Sequence, residues 1–113
     1  METDGLAKLE PQVSEIARTL KVFANAQRIR ILCRLVSAAD ELPIAALARD
    51  LGISQPALSQ HLAKLRKSGV ITARRNGHNL LYRIADPRVG ELTASLQDFV
   101  RSRAMLAAAR HSQ

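Results

Sequence analysis

The chain holds a single cysteine, Cys33, so no disulfide can close within it and no thiolate cage can hold zinc. It has no tryptophan, one tyrosine and two phenylalanines, which leaves the core to leucine, isoleucine, valine and alanine. No window reaches the ~18 uncharged apolar residues that a membrane span requires. The opening Met-Glu-Thr-Asp-Gly is acidic and lacks the basic-then-apolar layout of a signal peptide. A lone thiol fits a reducing compartment, so the expectation is a cytoplasmic protein with no membrane partner. Residues 51–85 contain no acid at all, yet carry Lys64, Arg66, Lys67, Arg74, Arg75 and Arg83. A block of one sign inside a folded domain is a candidate phosphate-facing surface, because solvated faces normally mix both signs.

What remains is ordinary for a globular chain. The length of 113 residues suits one domain, and 47% hydrophobic with 24% charged residues argues against disorder. The net charge of +7 bears on partners rather than on fold. The expected organisation is a flexible tail over residues 1–10, one domain over 11–110 and a tail over 111–113.

Apolar spacing predicts mostly helix. Val13, Ile16, Ala17, Leu20, Phe23 and Ala24 mark a first helix. Asn25 caps a second, whose stripe is Ile29, Leu32, Cys33 and Val36, with Ile31 and Leu35 adding another apolar side. Residues 37–42 read as a loop. Pro43 opens a short helix faced by Ile44, Leu47, Ala48 and Leu51, and Gly52 ends it. Ser54 caps the next helix, with Pro56 in its first turn and Leu58, Leu62 and Leu65 inward. Asn76-Gly77 between two alternating runs predicts a hairpin, with Ala73 facing Leu80 and Ile71 facing Tyr82. Asp86-Pro87 opens a last helix whose stripe is Val89, Leu92, Leu96, Phe99 and Leu106. The fold class is therefore mainly α with a small β-hairpin: about five helices and one two-stranded wing.

Residues 42–69 read as helix, short turn, helix. In a helix-turn-helix, the second helix lies in the major groove and its first residues meet base edges. Ser54, Gln55, Pro56, Ser59 and Gln60 then face DNA, with His61 near the boundary. Gln pairs bidentately with adenine and Ser reads several base edges. Lys64 and Lys67 sit late in the helix and suit flanking phosphates, which fix register without carrying sequence information. Arg74, Arg75, Asn76, Gly77 and His78 form the hairpin tip, which either enters a minor groove or rides on phosphates. A non-specific architectural DNA protein fits the charge and the wing equally well. The polar surface of Gln55, Ser59 and Gln60 favours sequence-specific reading, since architectural proteins more often insert apolar wedges.

Three segments, "LKVFANAQRIRILCRL", "ISQPALSQHLAKLRKSGVI" and "RRNGHNLLYRI", resemble in order the ArsR/SmtB family of bacterial winged helix-turn-helix regulators. The resemblance covers residues 20–84. It implies a homodimer on double-stranded DNA, built from the first and last helices, that represses transcription and leaves its operator on a chemical signal. Ile16, Leu20, Phe23, Leu92, Leu96 and Phe99 are the dimer residues consistent with it.

Metal-sensing members place cysteines on the short helix before the recognition helix. Here that stretch is "ELPIAALARDLG", with neither Cys nor His. The last helix offers Glu91 and Asp98 but no His before His111, so no metal and no cofactor is expected. "RIRILCRL" is similar to the region of the first cysteine in the redox- and persulfide-sensing branch that includes BigR, SqrR and HlyU. This makes Cys33 a candidate sensor; Arg101 stands where that branch has its second cysteine. The competing reading is a small core residue, since free cysteine is among the most buried types, which leaves a metal-independent regulator that answers to a small organic ligand or to none. No nucleophile–base pair and no glycine-rich phosphate loop is present, so catalysis is not expected.

Overall fold

The computed structural model describes residues 2–38 and 41–111. Its elements run α1 (Glu2–Phe23), α2 (Ala26–Ala38), β1 (Leu42–Pro43), α3 (Ile44–Leu51), α4 (Gln55–Lys67), β2 (Ile71–Asn76), β3 (Asn79–Ile84) and α5 (Pro87–His111). Local signals start most of them. Asn25 accepts the Arg28 N–H at 3.1 Å through its side chain and the Ile29 N–H at 3.0 Å through its carbonyl, which seats α2. Asp86 does the same for α5, accepting the Arg88 N–H at 2.9 Å.

The core gathers around α2, which packs against α1, α3, α4, α5 and β3. Ile31, Leu32 and Leu35 meet Leu47 and Ala48 of α3, Leu58, Leu62 and Leu65 of α4, and Val70, Ile71 and Tyr82 of the sheet. The buried side of α2 is thus the Ile31–Leu35 side. Of the expected Ile29/Leu32/Cys33/Val36 stripe only Leu32 is in the core; Ile29 is exposed, and Cys33 and Val36 are half-buried.

Several elements differ from the expectation. Residues 2–10, expected as a tail, are helical and form the first turns of α1. Leu6 and Leu9 continue the three-and-four spacing of Val13, Ile16 and Leu20, and the helix runs through Pro11. His111 likewise ends α5 rather than starting a tail; Met1, Ser112 and Gln113 lie outside the described residues. The loop over 37–42 is shorter than expected. Ser37 and Ala38 belong to α2, while Leu42 and Pro43 form a third strand on the far side of β3, giving the order β1-β3-β2. A two-residue strand is too short to show alternation in sequence.

The hairpin register also differs. Ile71 pairs with Ile84, Ala73 with Tyr82 and Asn76 with Asn79, so the two-residue loop is Gly77-His78. Gly77 takes the first loop position with φ +67°, where both hairpin turns of this length require positive φ. The slip of two residues leaves Ile71, Ala73, Leu80, Tyr82 and Ile84 on one face, because side chains alternate with period two. Hydrophobic pattern therefore cannot tell the two registers apart.

Candidate nucleic-acid interface

The turn between α3 and α4 is built from three consecutive devices. Gly52 adopts φ 68°, ψ 33°, the left-handed C-cap of α3, and its N–H reaches the Ala48 carbonyl at 2.9 Å. Ile53 is partly buried against the core. The Ser54 hydroxyl accepts the Ala57 N–H at 3.3 Å and starts α4, with Pro56 in the first turn, where a missing N–H costs little. Leu58, Leu62 and Leu65 lock the inner face of α4. Arg34 of α2 holds Asp50 of α3 at 2.9 Å, so the helix pair is fixed to the central helix from outside as well.

This frame leaves Ser54, Gln55, Pro56, Ser59, Gln60, Lys64 and Lys67 exposed. There is no acid in the first turn of α4. Its amide donors and the polar side chains beside them thus form an acid-free surface at the positive end of a helix. His61 sits at the boundary of the expected DNA-facing set. It is half-buried, and its Nδ1 is enclosed without a hydrogen-bond partner among the described residues. The side chain lies on the edge of the buried stripe, one turn after Leu58.

At the hairpin, Arg75, Asn76, Gly77 and His78 are exposed at the tip. Arg74 is not the unbalanced cation that the acid-free block suggested. Its Nε sits 2.8 and 2.7 Å from the two Glu41 carboxylate oxygens, and Arg83 lies 3.9 Å from the same carboxylate. Glu41 is only 13% exposed. No local signal announces this pair, since 33 residues separate its members.

Away from this face, α1 and α5 carry exposed apolar stripes. Leu6, Leu9, Val13, Ile16 and Leu20 on α1 and Leu92, Leu96, Phe99 and Leu106 on α5 are all open to solvent. Ile16, Leu20 and Leu92 line one groove, so the two stripes adjoin. Phe23 does not belong with them. At 5% exposure it is a core residue, packed into the central cluster from the last turn of α1.

Cys33 faces α5. Its Sγ accepts the Gln97 side-chain N–H at 3.3 Å. Gln97 is thus the α5 residue opposite the thiol. Arg101 lies one turn further on and pairs with Asp98 at 3.2 Å. Arg103 stacks over the Phe99 ring at 5.7 Å. Among the described residues, no group of three or more His, Cys, Asp or Glu is arranged to hold a metal ion. No helix there is long and apolar enough to cross a membrane.

Two helices joined by a tight turn, the second with a polar exposed face, followed by a basic hairpin, define a winged helix-turn-helix regulator. Residues 25–73 match the model of the arsR family of bacterial regulatory proteins. The biofilm growth-associated repressor of Xylella fastidiosa is 34% identical over 88 residues, 78% of this chain and 75% of that one. The transcriptional activator HlyU of Vibrio cholerae is 36% identical over 85 residues, 75% and 77% of the two chains. A Mycobacterium bovis structure, titled a homodimeric winged helix-turn-helix DNA-binding domain, superposes with a TM-score of 0.76 at 30% identity. That match covers 84% of this chain and 86% of that one. The chain belongs to the arsR family and is a DNA-binding transcriptional regulator.

Proposed function

We propose that the chain acts as a homodimeric repressor on an inverted-repeat operator, reading bases with Gln55, Ser59 and Gln60 and phosphates with Lys64, Lys67 and the wing tip. The observation that carries this is the exposed, acid-free polar face of α4 on a helix whose other side is fixed by Leu58, Leu62 and Leu65. A reading head has to be held in place, and the buried leucines seat this one on the core. Two such helices, about 34–36 Å apart, match successive major grooves. The adjoining apolar stripes of α1 and α5 supply a surface for pairing. The Mycobacterium bovis relative, titled homodimeric, supports that arrangement.

The test is binding to the promoter region of its own gene against a scrambled duplex of equal length. Replacing Gln55 and Gln60 by Ala is expected to narrow the preference by about 1–3 kcal/mol per lost bidentate contact. Equal affinity of the wild type for both duplexes would instead make it an architectural protein. Because one similar protein is named a repressor and another an activator, a reporter assay decides the sign at this promoter.

Cys33 is the point at which an oxidant or polysulfide would act. The observation favouring this is its contact with Gln97, which places the thiol on the packing of α2 against α5, the helix that bears the pairing stripe. Treated protein should lose promoter binding and regain it with reductant, and Cys33→Ser should be indifferent. Unchanged binding of the treated wild type makes Cys33 a packing residue.

A further inference from the structure

The ends of α1 and α4 meet the start of α2 around a hollow of about 300 Å³, lined by Lys21, Val22, Arg28, Lys64, Lys67 and Ser68. Four of the six lining residues are cations. None of the four has a carboxylate within salt-bridge distance among the described residues. The adjoining hollow shares Val22, Lys67 and Ser68 with it, and the carboxylate there, Glu15, is taken by Arg18 at 2.6 Å.

Helix ends do not account for this charge. Two helix C-termini bring roughly half a negative charge each, and the N-terminus of α2 returns about half a positive one. Four cations leave a clear excess. The side chains are also differently held. Arg28 donates from Nε to the Val22 carbonyl at 2.7 Å and from a terminal nitrogen to the Lys21 carbonyl at 3.3 Å. It satisfies carbonyls that the end of α1 would otherwise leave open, and it sets the angle between α1 and α2. Lys21, Lys64 and Lys67 are exposed.

We infer that this hollow seats one DNA backbone phosphate per protomer, gripped by Lys21 together with Lys64 and Lys67, with Arg28 as the positioning residue. The inference rests on the DNA-binding reading above. Its ligand class is an oxyanion, and continuity selects the DNA backbone as the source. Gln60, Lys64 and Lys67 follow one another at intervals of four and three along the exposed side of α4, so the base-reading surface runs directly into the hollow. Lys21 extends that surface onto α1, the helix that also carries a pairing stripe. The distance between the two DNA-facing surfaces and the grip on the backbone are then set by the same helix.

The test is the salt dependence of binding by the full chain, measured on the promoter duplex and on its scrambled counterpart. Lys21→Gln should release two contacts per dimer and flatten the slope of log K against log salt by about 1.8. Between about 50 and 200 mM salt the wild type should therefore lose about twelve-fold more affinity than the variant. The preference for the promoter duplex should not change, because a phosphate contact carries no sequence information. Lys21→Arg should keep the wild-type slope. Lys8→Gln, the same charge change ~20 Å back along α1, should keep it too.

A wild-type slope in a folded Lys21→Gln overturns the inference and leaves the DNA-binding reading standing. Failure of the wild type to prefer the promoter duplex sinks that reading instead. Titration with inorganic phosphate is the remaining arm. Saturable NMR shifts around Lys21 that vanish in Lys21→Gln, with the DNA slope unmoved, would assign the hollow to a free anion and overturn the inference.

Discussion

Glu41 sets a negative charge against two wing cations, Arg74 and Arg83. It lies just before β1, largely buried, and takes both carboxylate oxygens to the Arg74 guanidinium. The Glu41 carboxylate, held on Nε, offsets part of the Arg74 charge, so the wing tip presents Arg75 and His78 with Arg74 partly neutralised. Glu41→Gln should remove the carboxylate charge that offsets Arg74. The expected result is several-fold tighter binding to DNA of any sequence and a salt slope steeper by about 0.9 per protomer. The cost in stability should stay within about 1 kcal/mol, because the Arg74 side of the pair is more than half exposed. Fluorescence anisotropy and urea unfolding check the two halves. Tighter binding confined to the promoter duplex would contradict this picture, since a charge released onto the backbone cannot distinguish sequences.

At the scale of elements, caps carry most of what is legible in the sequence. Asn25, Ser54 and Asp86 act on backbone N–H groups two to four residues away, and Gly52 and Gly69 end helices through their own positive φ. Such signals are local, so the residues alone give the start of α2, α4 and α5. The hairpin register and the third strand are not local in this sense. One depends on which of two turns with the same facing pattern closes, and the other on two residues finding β3 across the fold. The exposed reading face of α4 follows from the leucine stripe. The Glu41–Arg74 pair and the meeting of Lys21 with Lys64 and Lys67 follow only from tertiary packing.

The cap of α5 also has a pH signature. Arg88 donates to Asp86 from both its backbone and its side chain, and this holds the carboxyl at about 2 against a usual 3.8. Because the folded value is the lower one, the cap stabilises the fold above about pH 4. That contribution fades as pH falls toward 2. In Asp86→Asn the contribution is absent throughout. Thermal melts of wild type and variant should therefore converge as pH drops from about 4 to about 2, and a constant gap would refute the assignment.

As a whole molecule the protomer is extended, 55 × 46 × 23 Å, with a radius of gyration of 17.4 Å. A compact chain of this length would give about 13 Å. The excess comes from α1 and α5, which reach past the core with Leu20 half-exposed and Phe99 61% exposed. Exposed apolar surface of this extent marks an association site. Leu96→Asp should turn a sedimenting dimer into monomer, weaken promoter binding and leave the core of each protomer folded but less stable. A dimeric Leu96→Asp would show that α5 is not the pairing surface.

Those stripes make the fold depend on its own amount. If α1 and α5 find their partner only in another copy, each tenfold dilution withdraws about 1.4 kcal/mol of stability per dimer, and the melting temperature falls with it. In the cell, opened chains are removed by proteases. Copy number then governs both how many operators are covered and how long each molecule survives, so scarcity shortens the regulator's lifetime as well as thinning its supply.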